Sequence, residues 1–117
     1  MIQKVYDILK PLGVPVQYVL RPDIATAKTG ISYHFFNEGY ELYADGKGKE
    51  LGGVLQVDIF STVDYSVTVK SVKELLEDAK FRLADMRSSD DSFDSVSNIK
   101  YFHKILIFNY VEREVLQ

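Results

Sequence analysis

Hydrophobic and polar positions follow two different periods between Leu51 and Met86, the most regular stretch of the chain. From Gly53 to Phe60 the period is two, which places Leu55, Val57 and Ile59 on one face of a strand with one buried side. After Ser61 to Asp64 the apolar residues recur at helical spacing. The helical stripe contains Tyr65, Val69, Val72, Leu76, Ala79, Leu83 and Met86. We therefore predict one long helix that is capped at its start by Asp64. This helix and the preceding strand are expected to pack together and form the centre of the fold.

The remaining periodic segments are shorter. A stripe from Ile2 to Leu12 predicts an N-terminal helix that Pro11 and Gly13 end. Extended patterns predict further strands at Val14–Leu20, Ile31–Asn37, Tyr40–Ala44 and Ile99–Val111, with a bulge at Glu38-Gly39 and a hairpin tip from Asp45 to Glu50. The predicted class is α+β: a mostly antiparallel sheet of four to five strands, with a short N-terminal helix and one long helix on one face. We expect one domain over residues 1–117, because no linker or repeat divides the chain.

The segment from Arg87 to Asn98 is rich in serine and aspartate and has no hydrophobic period. Its composition predicts a mobile loop of about a dozen residues, and loops of that length in compact domains are often functional. We expect this loop to contact a partner through Asp90, Asp91, Phe93 and Asp94. The aromatic strand offers a second candidate contact through Tyr33 and Phe35, since exposed apolar surface on a sheet usually marks an interface.

The composition is that of an ordinary globular protein with a formal net charge of −3 and a pI of about 5.3. The acidic balance disfavours general nucleic-acid binding, which needs a basic excess. The absence of cysteine excludes disulfides and thiolate chemistry. No signal peptide and no apolar run of roughly 20 residues is found, so we expect a soluble intracellular protein without membrane contact.

Candidate chemistry is sparse. His34 and His103 are the only histidines, and neither lies in a metal-binding motif. We therefore expect no catalytic residues, no metal and no cofactor, and we predict that the protein is not an enzyme. One alternative stays open: a small α+β enzyme or ligand-binding module whose pocket between sheet and helices uses Tyr33, His34 and His103.

The order of segments resembles a known family. Leu12-Gly13-Val14-Pro15-Val16 follows the first helix, and Ile31-Ser32-Tyr33-His34-Phe35 forms the aromatic strand. The strand Leu55-Gln56-Val57-Asp58-Ile59-Phe60-Ser61 enters the helix, and Tyr101-Phe102-His103-Lys104-Ile105-Leu106-Ile107-Phe108 closes the chain after the polar segment. Over nearly its whole length this pattern resembles the small tail-completion, or tail-to-head joining, proteins of long-tailed bacteriophages and prophages, which include tail terminators.

The resemblance implies a structural protein of virion assembly. In that family the subunits form a ring, typically a hexamer, at the head-proximal end of the tail tube. The ring stops tube growth and joins the tail tube protein to the head connector or stopper protein. It implies no catalysis and no cofactor, and DNA only passes through the channel. The expected location is the bacterial host cytoplasm during assembly, and the tail or neck of the finished virion.

Overall fold

The structure is a computed structural model that describes residues 1–22, 24–43, 49–94 and 99–116; the side chains of 25–26, 37–43, 49–50, 90–94 and 99–100 are not described. In chain order the elements are α1 (Ile2–Leu9), β1 (Val16–Tyr18), α2 (Ile24–Ala27), β2 (Thr29–Tyr43), β3 (Lys49–Ser61), α3 (Ser66–Asp78), β4 (Arg82–Asp94), β5 (Ile99–Val111) and α4 (Glu112–Val115). A 3-10 turn at Lys10–Leu12 follows α1, and Gly13 with φ 75° ends it as predicted.

The five strands form one mixed sheet in the order β1-β2-β3-β5-β4. β1 pairs with β2 in parallel, and the other three pairings are antiparallel. This confirms the α+β class and the mostly antiparallel sheet. The register of β2 against β3 shifts between Phe36 and Tyr40, which confirms the predicted bulge. The tip of the β2–β3 hairpin, residues 44–48, lies outside the described residues.

The core lies between the sheet and a layer that contains α1, α3 and α4. Leu55, Val57 and Ile59 are fully buried there, as their alternation predicts. The rest of the buried apolar cluster comes from both layers: Val5, Leu9, Ile31, Tyr33, Val72, Leu76, Phe81, Leu106, Phe108, Tyr110 and Val115. Within the layer, α1 contacts β1 and α3, and α3 contacts β4. Among the described helices, none is long and apolar enough to cross a membrane.

The long helix predicted to reach Met86 is wrong beyond Asp78. Lys80 has φ 77°, its N–H donates to the Glu77 carbonyl, and the Phe81 N–H donates to the Leu76 carbonyl. These two bonds form a Schellman motif, which ends a helix and is accompanied here by burial of both Phe81 and Leu76. Glycine usually occupies the left-handed position of this motif, and lysine occupies it in this chain. Leu83 and Met86 therefore belong to β4, not to the helix.

The prediction of a loop from Arg87 to Asn98 is also wrong for residues 87–94. Residues 82–94 form β4, which pairs with β5 along its length, with register shifts at Leu83/Asp85 and Ser89/Ser92. Pairing satisfies the backbone groups of a strand whatever its side chains are. Polar side chains suit β4 because it is an edge strand, and charges on an edge hinder pairing with other chains. Residues 95–98 lie outside the described part.

Candidate interaction site

The sheet has one face that the helices α1, α3 and α4 do not cover, and we call it the open face. The register of the strands assigns its members by alternation from Leu55, Val57 and Ile59, which face the core. They are Ser32, His34 and Phe36 of β2, Val54, Gln56, Asp58 and Phe60 of β3, and His103, Ile105, Ile107 and Asn109 of β5. This face combines aromatic, aliphatic and polar groups, which is a composition suited to contact with another protein.

The centre of the open face contains a half-buried carboxylate. Asp58 Oδ1 accepts a hydrogen bond of 2.9 Å from Gln56 Nε2, and His103 Nε2 lies 3.5 Å from the same oxygen. Burial acts to raise the pKa of the Asp58 carboxyl, but His103, Gln56 and the more distant His34 together hold this pKa below its ordinary value. His103 Nε2 is buried and makes no hydrogen bond within the described structure. Asp58 and His103 are therefore in contact at 3.5 Å without a hydrogen bond between them.

One end of the open face is covered by the segment that follows β1. The Arg21 guanidinium lies 4.6 Å from the Phe60 ring centroid and 5.4 Å from that of Tyr101. The Phe60 ring stacks on His103 at 4.2 Å. Gly30 allows this segment to cross β2, because a Cβ at Gly30 would lie only 2.7 Å from Pro22 Cγ. Gly30, near the start of β2, therefore marks a close approach of the Pro22 and Ile24 side chains to the strand.

The polar groups of the alternative pocket are not brought together. Tyr33 is 1% exposed in the core, where its hydroxyl donates a hydrogen bond of 2.7 Å to the Ile2 carbonyl. His34 and His103 lie on the opposite side of the sheet. A groove of about 520 Å³ does lie between α3, β4 and α4, but its lining contains none of the three residues. No cluster of metal-ligating side chains occurs in the described part of the chain.

The predicted interface residues fall in two places. Asp90, Asp91, Phe93 and Asp94 lie on β4 at the edge of the sheet, and their side chains are outside the described set. Tyr33 belongs to the core, and Phe35 packs against the core with its ring near those of Tyr33 and Tyr110. The burial of Tyr33 assigns it to the interior of this chain rather than to a surface.

An apolar surface at the other margin of the sheet has no counterpart in the sequence predictions. It consists of large side chains that are all at least a third exposed, and we call it the β1-edge patch: Ile2, Tyr6, Tyr18, Val19 and Leu20. α1 contributes Ile2 and Tyr6, β1 contributes Tyr18, and Val19 and Leu20 directly follow β1. The apolar pattern predicts one strand over Val14–Leu20 and therefore gives no sign of an exposed surface at its end. The strand ends at Tyr18 instead.

A strained turn produces this exposure. Val19 has φ 69°, and the Leu20 N–H donates a 2.7 Å hydrogen bond to the Tyr18 carbonyl, which closes a γ-turn around Val19. A β-branched residue in this region of backbone space costs about 1–3 kcal/mol. The Val19 N–H also donates to the Tyr33 carbonyl at 2.8 Å, and this bond ties the turn to β2.

Comparisons with known proteins do not assign this chain to a family. No protein-family model matches the sequence, and no curated protein matches it. A solved structure described as the virion of a native gene transfer agent (GTA) particle contains a chain to which this one is similar. The two are 14% identical, the match covers 92% of this chain and 91% of that chain, and the TM-score is 0.39. A likeness at this TM-score assigns no function.

Proposed function

We propose that this protein is a structural assembly protein of a phage-type tail, and that its copies join side by side into a ring. In this role it caps the head-proximal end of the tail tube and connects the tube to the head connector or stopper protein. The ring is expected to be a hexamer, formed in the host cytoplasm and retained in the neck of the virion. The role involves no catalysis and no cofactor.

The observation that carries the proposal is that the two margins of the sheet are different and are both unpaired. β1 pairs with β2 only at Ile31 to Tyr33, so within the described residues β2 has no neighbour on that side from His34 onward. At the opposite margin β4 has β5 as its only strand neighbour in the described structure. Two different surfaces on opposite sides of one subunit favour head-to-tail association, which closes into rings when the rotation permits.

The sequence supports the same role independently. The resemblance to tail-completion proteins extends over nearly the whole chain, and it implies a mixed or antiparallel sheet flanked by helices, which is the kind of architecture that this chain has. The net charge of −3 suits a channel through which DNA slides without binding.

Light scattering coupled to size exclusion tests the proposal over a wide range of protein concentration. We expect a species about six times the 13.4 kDa mass of the chain, seen as a ring by negative-stain electron microscopy. The tail tube protein of the same genome, added as preformed tubes, should pull the chain down and be capped at one end. A 13.4 kDa species at every concentration, with and without tubes, would refute the proposal.

A further inference from the structure

The β1-edge patch is the most apolar exposed surface in the described structure. It contains five of the eleven exposed large hydrophobic side chains, and Leu20 and Val19 are 67% and 59% exposed. Tyr6 and Tyr18 add two amphipathic aromatic rings, the residue type most enriched in the energetically dominant parts of interfaces. Exposure of this many apolar side chains to solvent is unfavourable in a free subunit, so burial of the β1-edge patch against another protein surface is favourable.

The backbone at the patch is held in its strained form by the fold. The γ-turn bond from Leu20 to Tyr18 and the bond from Val19 to Tyr33 hold this backbone, on which the Val19 and Leu20 side chains are exposed rather than buried. Strain of this kind is found where the displayed geometry has a function, such as binding. A turn with glycine at position 19 would connect the same elements without strain and without the exposed valine.

We propose that the β1-edge patch is the contact for a second copy of this chain, and that it receives the β4 margin of that copy around Met86. The inference rests on the proposed function and names the residues of the lateral contact. Met86 is 45% exposed and lies directly opposite Leu106 in the register of β4 and β5. Leu106 faces the core, so Met86 lies on the helix side of the sheet, the side on which α1 also lies.

The positions of the two surfaces fit a head-to-tail contact. β1 and β4 are the opposite ends of the strand order, and Tyr18, which lies beside core-facing Tyr33, is on the same helix side of the sheet as Met86. If a second copy is placed so that its β1 margin lies beside β4 of the first, the two sheets lie side by side in the same orientation. Met86 of the first copy then meets Tyr18 and Leu20 of the second. A flexible thioether packs favourably against aromatic rings.

Charge complementarity points to the same partner. Asp7 lies on the exposed side of α1 next to Tyr6. On the opposite margin, Lys104 is on the helix side of β5, where its Nζ donates a hydrogen bond of 2.9 Å to Ser88 Oγ of β4. A head-to-tail contact therefore brings a carboxylate near an ammonium group at the rim of an apolar centre, an arrangement that fixes register.

Thiol cross-linking tests the contact directly, because the chain contains no cysteine. Leu20→Cys and Met86→Cys are prepared separately, mixed, and treated with a short bismaleimide. We expect the mixture to give a dimer band that neither variant gives alone. Val67→Cys is the matched control, since Val67 is 79% exposed on α3 and belongs to neither proposed surface, and it should not cross-link to either variant. A cross-link between two Leu20→Cys chains would contradict the proposal, because it would indicate a patch-to-patch contact.

Variants that introduce or reverse a charge test how strongly individual side chains contribute to self-association. Leu20→Glu should weaken self-association by at least about tenfold without lowering the melting temperature, whereas Val67→Glu should leave association unchanged. Asp7→Lys should also weaken association, and adding Lys104→Asp to the same chain should restore it. A ring that forms equally well with Leu20→Glu and Asp7→Lys would refute this contact while leaving the proposed function intact. A parent chain that never self-associates would refute both.

Discussion

Gly30 provides a sharp test of how the open face is built. Its backbone is ordinary strand, so alanine at this position adds no backbone strain. The added Cβ would lie 2.7 Å from Pro22 Cγ, 2.8 Å from Pro22 Cβ and 3.0 Å from Ile24 Cγ2. Contacts this short force the segment from Arg21 to Ile24 away from β2. Gly30→Ala is therefore expected to detach this segment while the rest of the sheet stays folded.

The magnitude follows from the contacts that are lost. Exposure of the Ile24 side chain, which is buried in the native structure, costs about 1.5–3 kcal/mol. Loss of the Arg21 interaction with the Phe60 ring adds about 0.5–1 kcal/mol. The sum of about 2–4 kcal/mol corresponds to a decrease in melting temperature on the order of 10 °C for a domain of this size. Thermal and urea unfolding followed by circular dichroism measure it.

Two further variants separate contact from backbone effects. Gly13→Ala introduces a side chain with no atom within 4 Å but with φ 75°, so it should cost only the left-handed penalty of about 1–2 kcal/mol. Gly30→Ala should be less harmful in a Pro22→Gly chain, because the two closest atoms are then absent. Equal melting of Gly30→Ala and the parent, or purely additive effects of Gly30→Ala and Pro22→Gly, would contradict the placement of this segment on the sheet.

Three other variants test separate parts of the structure. Leu76→Ala should cost about 2–5 kcal/mol in urea unfolding, because Leu76 is fully buried, and a loss below about 1 kcal/mol would contradict the position of α3. Val19→Gly should raise the free energy of unfolding by about 1 kcal/mol or more through release of strain, yet weaken self-association; a destabilised variant would contradict the γ-turn. Because the pKa of the Asp58 carboxyl is lowered in the folded state, its ionised form stabilises the fold above the ordinary pKa, and this stability is lost as the pH falls through the folded-state pKa. Asp58→Asn should therefore lose less stability than the parent between pH 6 and pH 3. An equal loss in both chains would contradict the contacts of Asp58 with His103 and Gln56.

The faces of the strands were predictable from sequence because burial on one side imposes a period of two. Leu55, Val57 and Ile59 follow it, and Ile31, Tyr33 and Phe35 share the corresponding face of β2. The bulge in β2 was predictable from Gly39. Each of these inferences needs only the residues of one segment and the rule that apolar side chains avoid water.

The end of α3 was not predictable from the same kind of pattern. Leu83 and Met86 continue the helical stripe by coincidence of spacing, and the usual glycine signal for a Schellman ending is replaced by Lys80. What ends the helix is tertiary: Phe81 is buried against Tyr110, with ring centroids 5.5 Å apart, and this position requires the chain to turn. A contact 29 positions away in the sequence leaves no local signal.

The candidate site was predictable only in part. The contact predicted at Asp90, Asp91, Phe93 and Asp94 stays a prediction, and these residues belong to the edge strand β4 rather than to a loop. The β1-edge patch was missed because Val19 and Leu20 continue the apolar run of a strand, and only the backbone shows that the strand has already ended. Its signal in the sequence is weak: an apolar pair directly before Arg21-Pro22, where a proline disfavours continued pairing.

The character of β4 limits how a ring could be held together. An unpaired edge of 13 residues is a template for uncontrolled strand pairing, but here it carries two register shifts and the charged sequence Asp90-Asp91-Ser92-Phe93-Asp94. Like charges oppose direct backbone pairing between two β4 edges. The proposed contact of β4 with the β1 margin relies on side chains, and Met86 is the one exposed large hydrophobic residue among the described side chains of β4. A charged edge that also displays Met86 as an apolar anchor favours a single geometry, which is what a closed ring of identical subunits requires.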